Sequence, residues 1–389
     1  MLAALLTGAG CSEPTKPGEG GVNELWFKTQ AEGFSNSRPL ATANAVYFAD
    51  GSGSVISRDP STGTVKWTTN IGSSPHTNSV KIGGEDFILA AGVLVAAVQL
   101  HVSALDPATG REIWRYEPPL DTIFEAQARP GYVEKTRMAA DDRTVFIPAW
   151  GASVSAVDLQ TGQARWIWRV EPTVPNRSGS FGVRVSGDTV FATVWHFLNK
   201  SGTQSEAWVV ALDKQTGREH WRVVLPRQAS GTMINCAPAV WRNLVIVTLV
   251  SGELFAVDRR TQTIAWRIPP KIAASGLGTA LISGAEVYGD VVYANGSDQK
   301  VHAYHAHDGT QIWESEAGQL TDDLLVTDKF VYATDGASLY VVDRLTGARY
   351  AALGHPRKSI SYTYVSPAGA LNGQIFVTLS NGAWSFDEP

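Results

Sequence analysis

The residues in this chain whose types and spacing would support chemistry fall in a few short stretches. His302, His305 and His307 lie within six residues in HAYHAHDG. Side chains alternate along a strand, so His305 and His307 share one face, the beginning of a transition-metal site. No matched carboxylate or cysteine accompanies them in sequence, and the pattern reads as a solvated strand end. Asp141 and Asp142 in MAADDRTVF would suit general acid/base work, but they fall where a turn is expected between two strands. Asp59, Asp106, Asp158 and Asp213 each precede a Thr by three residues, a Gly by four and a Trp by eight. Repeated carboxylates of this kind suggest calcium ligands or catalytic pairs. The chain has no Ser/His/Asp elbow, no phosphate-binding glycine loop and no HExxH zinc motif.

The elements that carry these residues repeat. ISRDPSTGTVKW, SALDPATGREIW, SAVDLQTGQARW and VALDKQTGREHW give the strongest copies, with Gly63, Gly110, Gly162 and Gly217 in the turns and Trp67, Trp114, Trp166 and Trp221 after them. Weaker copies follow. FAVDRRTQTIAW has Asp258 and Trp266 but Gln262 for the glycine; HAYHAHDGTQIW has Gly309 and Trp313 but His305 for the aspartate; YVVDRLTGARYA has Asp343 but Ala351 for the tryptophan. Successive copies lie 47, 52, 55, 45, 47, 38 and 44 residues apart, counting on to Asp387, the spacing of one four-stranded propeller blade. Segments such as AVYFADGSGSVISRD supply the two remaining strands of each unit. The final strand ends at Asp387 with no Trp strand after it, whereas Trp26 in NELWFKT belongs to no preceding hairpin. Joining the two completes an eighth unit and removes the exposed edge. The expected fold is therefore all-β, an eight-bladed propeller of four-stranded blades, closed by the strand around Trp26.

Each part of the motif has a structural role in this fold. Asp accepts hydrogen bonds from the N–H groups of the turn, Gly takes a positive φ, and Trp covers the junction to the next blade. The copies lie in separate blades near the outer rim, too far apart to converge on one ion. The motif is read as packing.

Composition agrees. The chain has 389 residues, 44% apolar and 18% charged, with 37 Gly and 13 Trp, the diet of a turn-rich β-protein. A net charge of −5 without a basic run excludes nucleic acid as a partner class. Cys11 and Cys236 are the only cysteines, so there is no disulfide framework; Cys236, in MINCAPAVW, reads as a small buried hydrophobe. The apolar run at 87–100 is too short to span a bilayer and reads as buried strands.

The copies resemble the repeats of the PQQ-like (quinoprotein-type) β-propeller superfamily, in the style of the outer-membrane assembly lipoprotein BamB. Residues 1–11 are similar to the end of a lipoprotein signal, with Cys11 as the lipidated residue, although no Lys or Arg precedes the apolar run and Gly8 stands where Leu is usual. Residues 12–22 are a flexible tether and 23–389 one propeller domain. The resemblance implies a bacterial envelope protein, an outer-membrane lipoprotein facing the periplasm or the cell surface. Its membrane contact is the lipid anchor alone, and Ser12 after Cys11 suits outer-membrane sorting. A monomeric, non-catalytic protein-interaction scaffold is the leading expectation, with the barrel-assembly machinery as partner. The alternatives are a quinoprotein-like enzyme or sensor binding PQQ with calcium, and a surface binding module unrelated to barrel assembly. No adjacent cysteine pair of the quinoprotein type is present, so no cofactor, metal or catalytic residue is assigned. Function is expected in the longer connections at 117–137, 170–182 and 269–283, where Arg129, Arg137 and Arg177 have aromatic neighbours of the kind enriched at protein interfaces.

Overall fold

The computed structural model describes residues 21–29, 38–50, 52–72, 87–98, 101–118, 137–149, 151, 153–170, 179–199, 204–226, 234, 236–271, 284–318, 324–354 and 364–389. Cys11 and residues 12–20 of the tether lie outside them, as do Arg129 and Arg177.

Among the described residues every regular element is a strand, and the strands form eight antiparallel four-stranded sheets. Seven blades are built from consecutive strands: blade 1 (40–70), blade 2 (88–116), blade 3 (139–169), blade 4 (179–224), blade 5 (239–268), blade 6 (286–316) and blade 7 (325–353). Blade 8 takes Tyr364–Leu371, Gln374–Leu379 and Gly382–Asp387 from the C-terminus and Glu24–Thr29 from the N-terminus. In that closure Trp26 pairs with Ser385 and Thr29 with Gly382, and the Asp387 N–H donates to the Asn23 carbonyl at 3.0 Å. The strand left over in sequence thus fills the one vacant edge.

The first strands of most successive blades touch one another around the axis, and the fourth strands lie at the rim. The second and third strands are covered on both faces by neighbouring blades. They therefore read as continuous apolar runs such as VLVAAV (Val93–Val98), buried at every position. Rim strands face solvent on one side, and Gln311–Glu316 accordingly alternates exposed and buried over its second half. There is no single core. Eight apolar clusters fill the eight inter-blade seams, the last joining Trp26 and Phe376 of blade 8 to Val46, Phe48 and Ile56 of blade 1.

The repeated motif makes these seams. Asp106 Oδ1 accepts the N–H groups of Ala108 and Thr109 at 2.9 Å, and the Gly110 N–H closes the turn on the Asp106 carbonyl at 2.8 Å. The turn then offers the carbonyl of the residue after Asp to the preceding blade. Trp26 Nε1 donates to the Pro60 carbonyl at 2.8 Å, Trp67 to Pro107 at 3.0 Å, Trp114 to Leu159 at 2.7 Å and Trp166 to Lys214 at 2.9 Å. Trp266 and Trp313 donate to Ala306 and Arg344 in the same way, each at 3.1 Å. The indole also lies flat on the glycine: a Cβ on Gly110 would stand 2.5 Å from Trp67 Cε3. Glycine is required there for the neighbouring ring as well as for its φ of 74°.

One feature was not expected from sequence. In every blade the pairing of the rim strand slips by one residue beside the Trp position, leaving Leu25, Lys66, Ile113, Arg165, His220, Ala265, Ile312 and Tyr350 as bulge residues. A bulge bends its strand and re-aims the next side chain. Here it turns the residue that follows toward the adjoining blade.

Candidate functional site

The propeller's central cavity, about 390 Å³, is lined by Arg38, Arg137, Arg184 and Glu286 among apolar side chains from the first strands of several blades. Arg38, Arg137 and Glu286 stand just before or at the start of those strands. Chain direction places them at the end where the long connections at 117–137, 170–182 and 269–283 enter.

Arg137, one of the arginines expected in the partner-binding connections, is 7% exposed and lines the cavity. Its backbone explains the placement. The Arg137 N–H donates to the Phe181 carbonyl at 2.8 Å and the Val183 N–H donates to the Arg137 carbonyl at 3.0 Å, a parallel bridge that ties this segment to the first strand of blade 4. Gly182 sits within that bridge because blade 5 comes too close for a side chain; a Cβ there would lie 2.3 Å from Ala237 Cα.

Glu286 joins the basic groups. Its Oε1 lies 3.5 Å from Arg137 Nη1 and 3.7 Å from Arg38 Nη1, and Arg38 Nη2 also donates to the Leu324 carbonyl at 2.5 Å. Arg184 Nε donates to the Pro238 carbonyl at 3.4 Å. Among the described lining residues three guanidiniums stand beside one carboxylate. In a partly desolvated recess that field favours a carboxylate or another anion. Sequence reading missed Arg38, Arg184 and Glu286, since residues nearly 250 positions apart meet only through the ring of first strands.

The described lining residues do not by themselves supply a calcium site. Calcium takes about six to eight oxygen ligands, several of them carboxylates. Among the described lining residues Glu286 is the one carboxylate, and both Arg38 and Arg137 engage it.

The remaining candidates resolve by blade geometry. Asp141 Oδ1 accepts the N–H groups of Arg143 and Thr144 at 2.9 Å, a turn role, and Oδ2 pairs with Lys214 at 3.2 Å. These contacts hold its carboxyl below the usual range against the opposing effect of burial, which is the largest single influence. Asp158 is held down to about 2, chiefly by the Arg165 guanidinium. Cys236 is buried as expected, its Sγ 3.3 Å from the Thr248 carbonyl. His305 and His307 are exposed with rings 5.4 Å apart. His302 behaves differently. It is buried beside Asp298 and Glu314, so carboxylates do accompany the histidine run: one stands four residues before His302, the other across the sheet.

A profile of the family described as outer membrane protein assembly factor BamB matches residues 23–88 and 151–349, more than half of the chain. The chain belongs to the BamB family. The assembly factor BamB of Burkholderia pseudomallei is 26% identical over 310 residues, 76% of this chain and 69% of the relative. A quinohemoprotein alcohol dehydrogenase of Comamonas testosteroni is 23% identical over 158 residues, 40% of this chain and 21% of the enzyme. Among solved structures, BamB from Moraxella catarrhalis gives a TM-score of 0.68 at 13% identity, covering 94% of this chain and 99% of that one. The Comamonas enzyme also gives 0.68 at 13% identity, covering 95% of this chain and 76% of its own. Equal scores for an assembly factor and an enzyme show that the likeness establishes the BamB-like propeller fold and leaves its use to the parts that do not repeat.

Proposed function

We propose that this chain is a lipid-anchored, non-catalytic scaffold of the bacterial envelope that binds protein partners in the assembly of outer-membrane β-barrel proteins. The observation that carries the reading is the 26% identity to an assembly factor over 76% of this chain. Geometry supplies the binding end. The long connections enter where Arg38, Arg137 and Glu286 begin the central cavity, and the exposed Arg184 lines the same recess. A partner presenting an acidic side chain to this end would meet the exposed Arg184, and aromatic and arginine side chains of the kind present in the connections favour protein contact. Lipidation at Cys11 would hold the propeller at the outer membrane, on its periplasmic or outer side, through a tether of about ten residues.

The test is crosslinking in the native host followed by mass spectrometry. Capture of barrel-assembly components, reduced by Arg184→Glu, is expected; a crosslinked set without any such component overturns the assembly role. Fatty-acid labelling that is lost in Cys11→Ser supports the anchor, and unchanged labelling refutes it.

A further inference from the structure

Blade 6 buries a histidine and leaves one of its two nitrogens unused. His302 lies on the third strand of the blade and is 1% exposed. Its Nε2 is 3.0 Å from Asp298 Oδ1. An ionised carboxylate can only accept, so in the neutral ring Nε2 carries the hydrogen and Nδ1 holds the lone pair. Nδ1 is fully buried and has no hydrogen-bond partner. It faces Glu314, the residue paired directly with His302 on the rim strand, whose Oε2 is 3.8 Å away. A carboxylate behind one imidazole nitrogen and a free lone pair on the other is the arrangement that orients metal-binding histidines.

We propose that His302 Nδ1 and the Glu314 carboxylate bind a first-row divalent cation of the zinc class, with Asp298 as the positioning residue. One ligand atom from each of Asp298, His302 and Glu314 lies within 4.8 Å of the other two. Bonds of about 2.1 Å at tetrahedral angles place two ligand atoms about 3.4 Å apart. The observed 3.8 Å closes with a small rotation of Glu314, which is partly exposed. An imidazole with carboxylate oxygen suits zinc, cobalt or manganese, whereas calcium and magnesium prefer oxygen alone. Gly296 leaves the room the pair needs, since a Cβ there would stand 2.2 Å from Asp298 Oδ1 and 2.6 Å from His302 Nε2.

A resident cation sets the strength of the site. Lys300 Nζ is 2.5 Å from Glu314 Oε1 and 3.3 Å from Glu316 Oε1. The metal must take Glu314 from this ammonium, and Glu316 keeps a place for the displaced lysine. Water for the remaining coordination positions would have to enter from the side of the partly exposed Glu314. Lys300 therefore competes with the metal, and its removal tightens binding.

The experiment titrates the full chain, stripped with chelator, with cobalt(II), followed by visible d–d absorption and by competition with zinc. Wild type is expected to show one saturable band. His302→Gln and Glu314→Gln should each weaken binding at least tenfold, and Asp298→Asn about 10- to 100-fold. Lys300→Ala should tighten binding about tenfold, and His302→Gln should abolish that gain. Far-ultraviolet circular dichroism and the urea midpoint confirm that each variant is folded. Absence of a band in wild type, or a band unchanged in folded His302→Gln, overturns the proposal and leaves Asp298–His302–Glu314 as a charge pairing alone.

Discussion

Replacing Gly110 with Ala separates the two reasons why this turn needs glycine. The first is conformational: φ is 74°, and a left-handed backbone costs a residue with a Cβ about 1–2 kcal/mol. The second is the neighbouring blade. The new methyl would lie 2.5 Å from both Trp67 Cε3 and Thr69 Oγ1, where backbone or indole must move. Overpacking of this kind costs about 1–3 kcal/mol. Gly187 supplies the control. It has a φ of 62° in a turn between the first two strands of blade 4, and nothing lies within 4 Å of its Cβ position. Gly187→Ala should thus cost about 1–2 kcal/mol and Gly110→Ala about 2–5 kcal/mol, the difference measuring the indole contact. The assay is urea unfolding followed by tryptophan fluorescence. For 389 residues at about 2.1 cal/mol/K per residue, 1 kcal/mol shifts Tm by only about 1 °C, so the losses are read as free energies from complete urea curves. Equal losses in the two variants would refute the claim that Trp67 packs on Gly110.

Three further outcomes are expected. Trp26→Ala should cost about 3–5 kcal/mol in urea unfolding, because Trp26 fills the closing seam and its Nε1–H meets Pro60; a loss below about 1 kcal/mol would contradict that role. Glu286→Gln strips the cavity guanidiniums of their carboxylate and should lower stability by about 1–3 kcal/mol, recovered in part by added sulfate; an unchanged midpoint would show that the pairings with Arg38 and Arg137 contribute nothing. His101 and His196 both have pKa values lowered chiefly by burial, so the folded chain resists protons that the unfolded chain accepts. Stability should fall as pH drops through about 6.5, and a urea midpoint that stays flat from pH 8 to 5 would refute it.

The parts of the fold legible in sequence are those written in local spacing. Asp106, Thr109, Gly110 and Trp114 fall within nine residues, so turn, cap and rim strand can be read together. Closure was legible because Trp26 had no hairpin of its own. The bulge beside each Trp was not, since its position is occupied by residues as different as Lys66, Ile113 and Ala265, and geometry alone defines it. The cavity was hidden for another reason. Arg137 sits at the end of a connection with no period, and only the bridge to Phe181 and Val183 turns it inward. In blade 6 the sequence reading overlooked Asp298 four residues before His302, and Glu314 enters through strand register, which requires the sheet.

The imperfect copies show which half of the motif the propeller depends on. Blade 6 has His305 where Asp is expected, and Asp308 caps the turn instead, accepting the Thr310 N–H at 2.9 Å. Docking is unaffected: the Gly309 N–H still closes on the His305 carbonyl at 2.9 Å, and Trp266 still reaches the Ala306 carbonyl. The cap is therefore replaceable and the carbonyl–glycine platform is what the indole needs. Blade 7 shows the converse. Its rim strand has Ala351 in place of Trp, and in the blade it faces Glu388 follows Asp387. Glu388 instead accepts from Thr327 and from the Tyr332 hydroxyl of blade 7. In this seam the glutamate contacts stand where an indole docks elsewhere, whereas Trp221 is present although Gln262 replaces the glycine of the turn it faces. A sequence unit defined from Asp to Trp is half of one seam and half of the next. Gln262→Gly, which removes a side chain from a left-handed turn position, should raise the urea midpoint; a lower midpoint would show that the φ of 58° at Gln262 carries no strain.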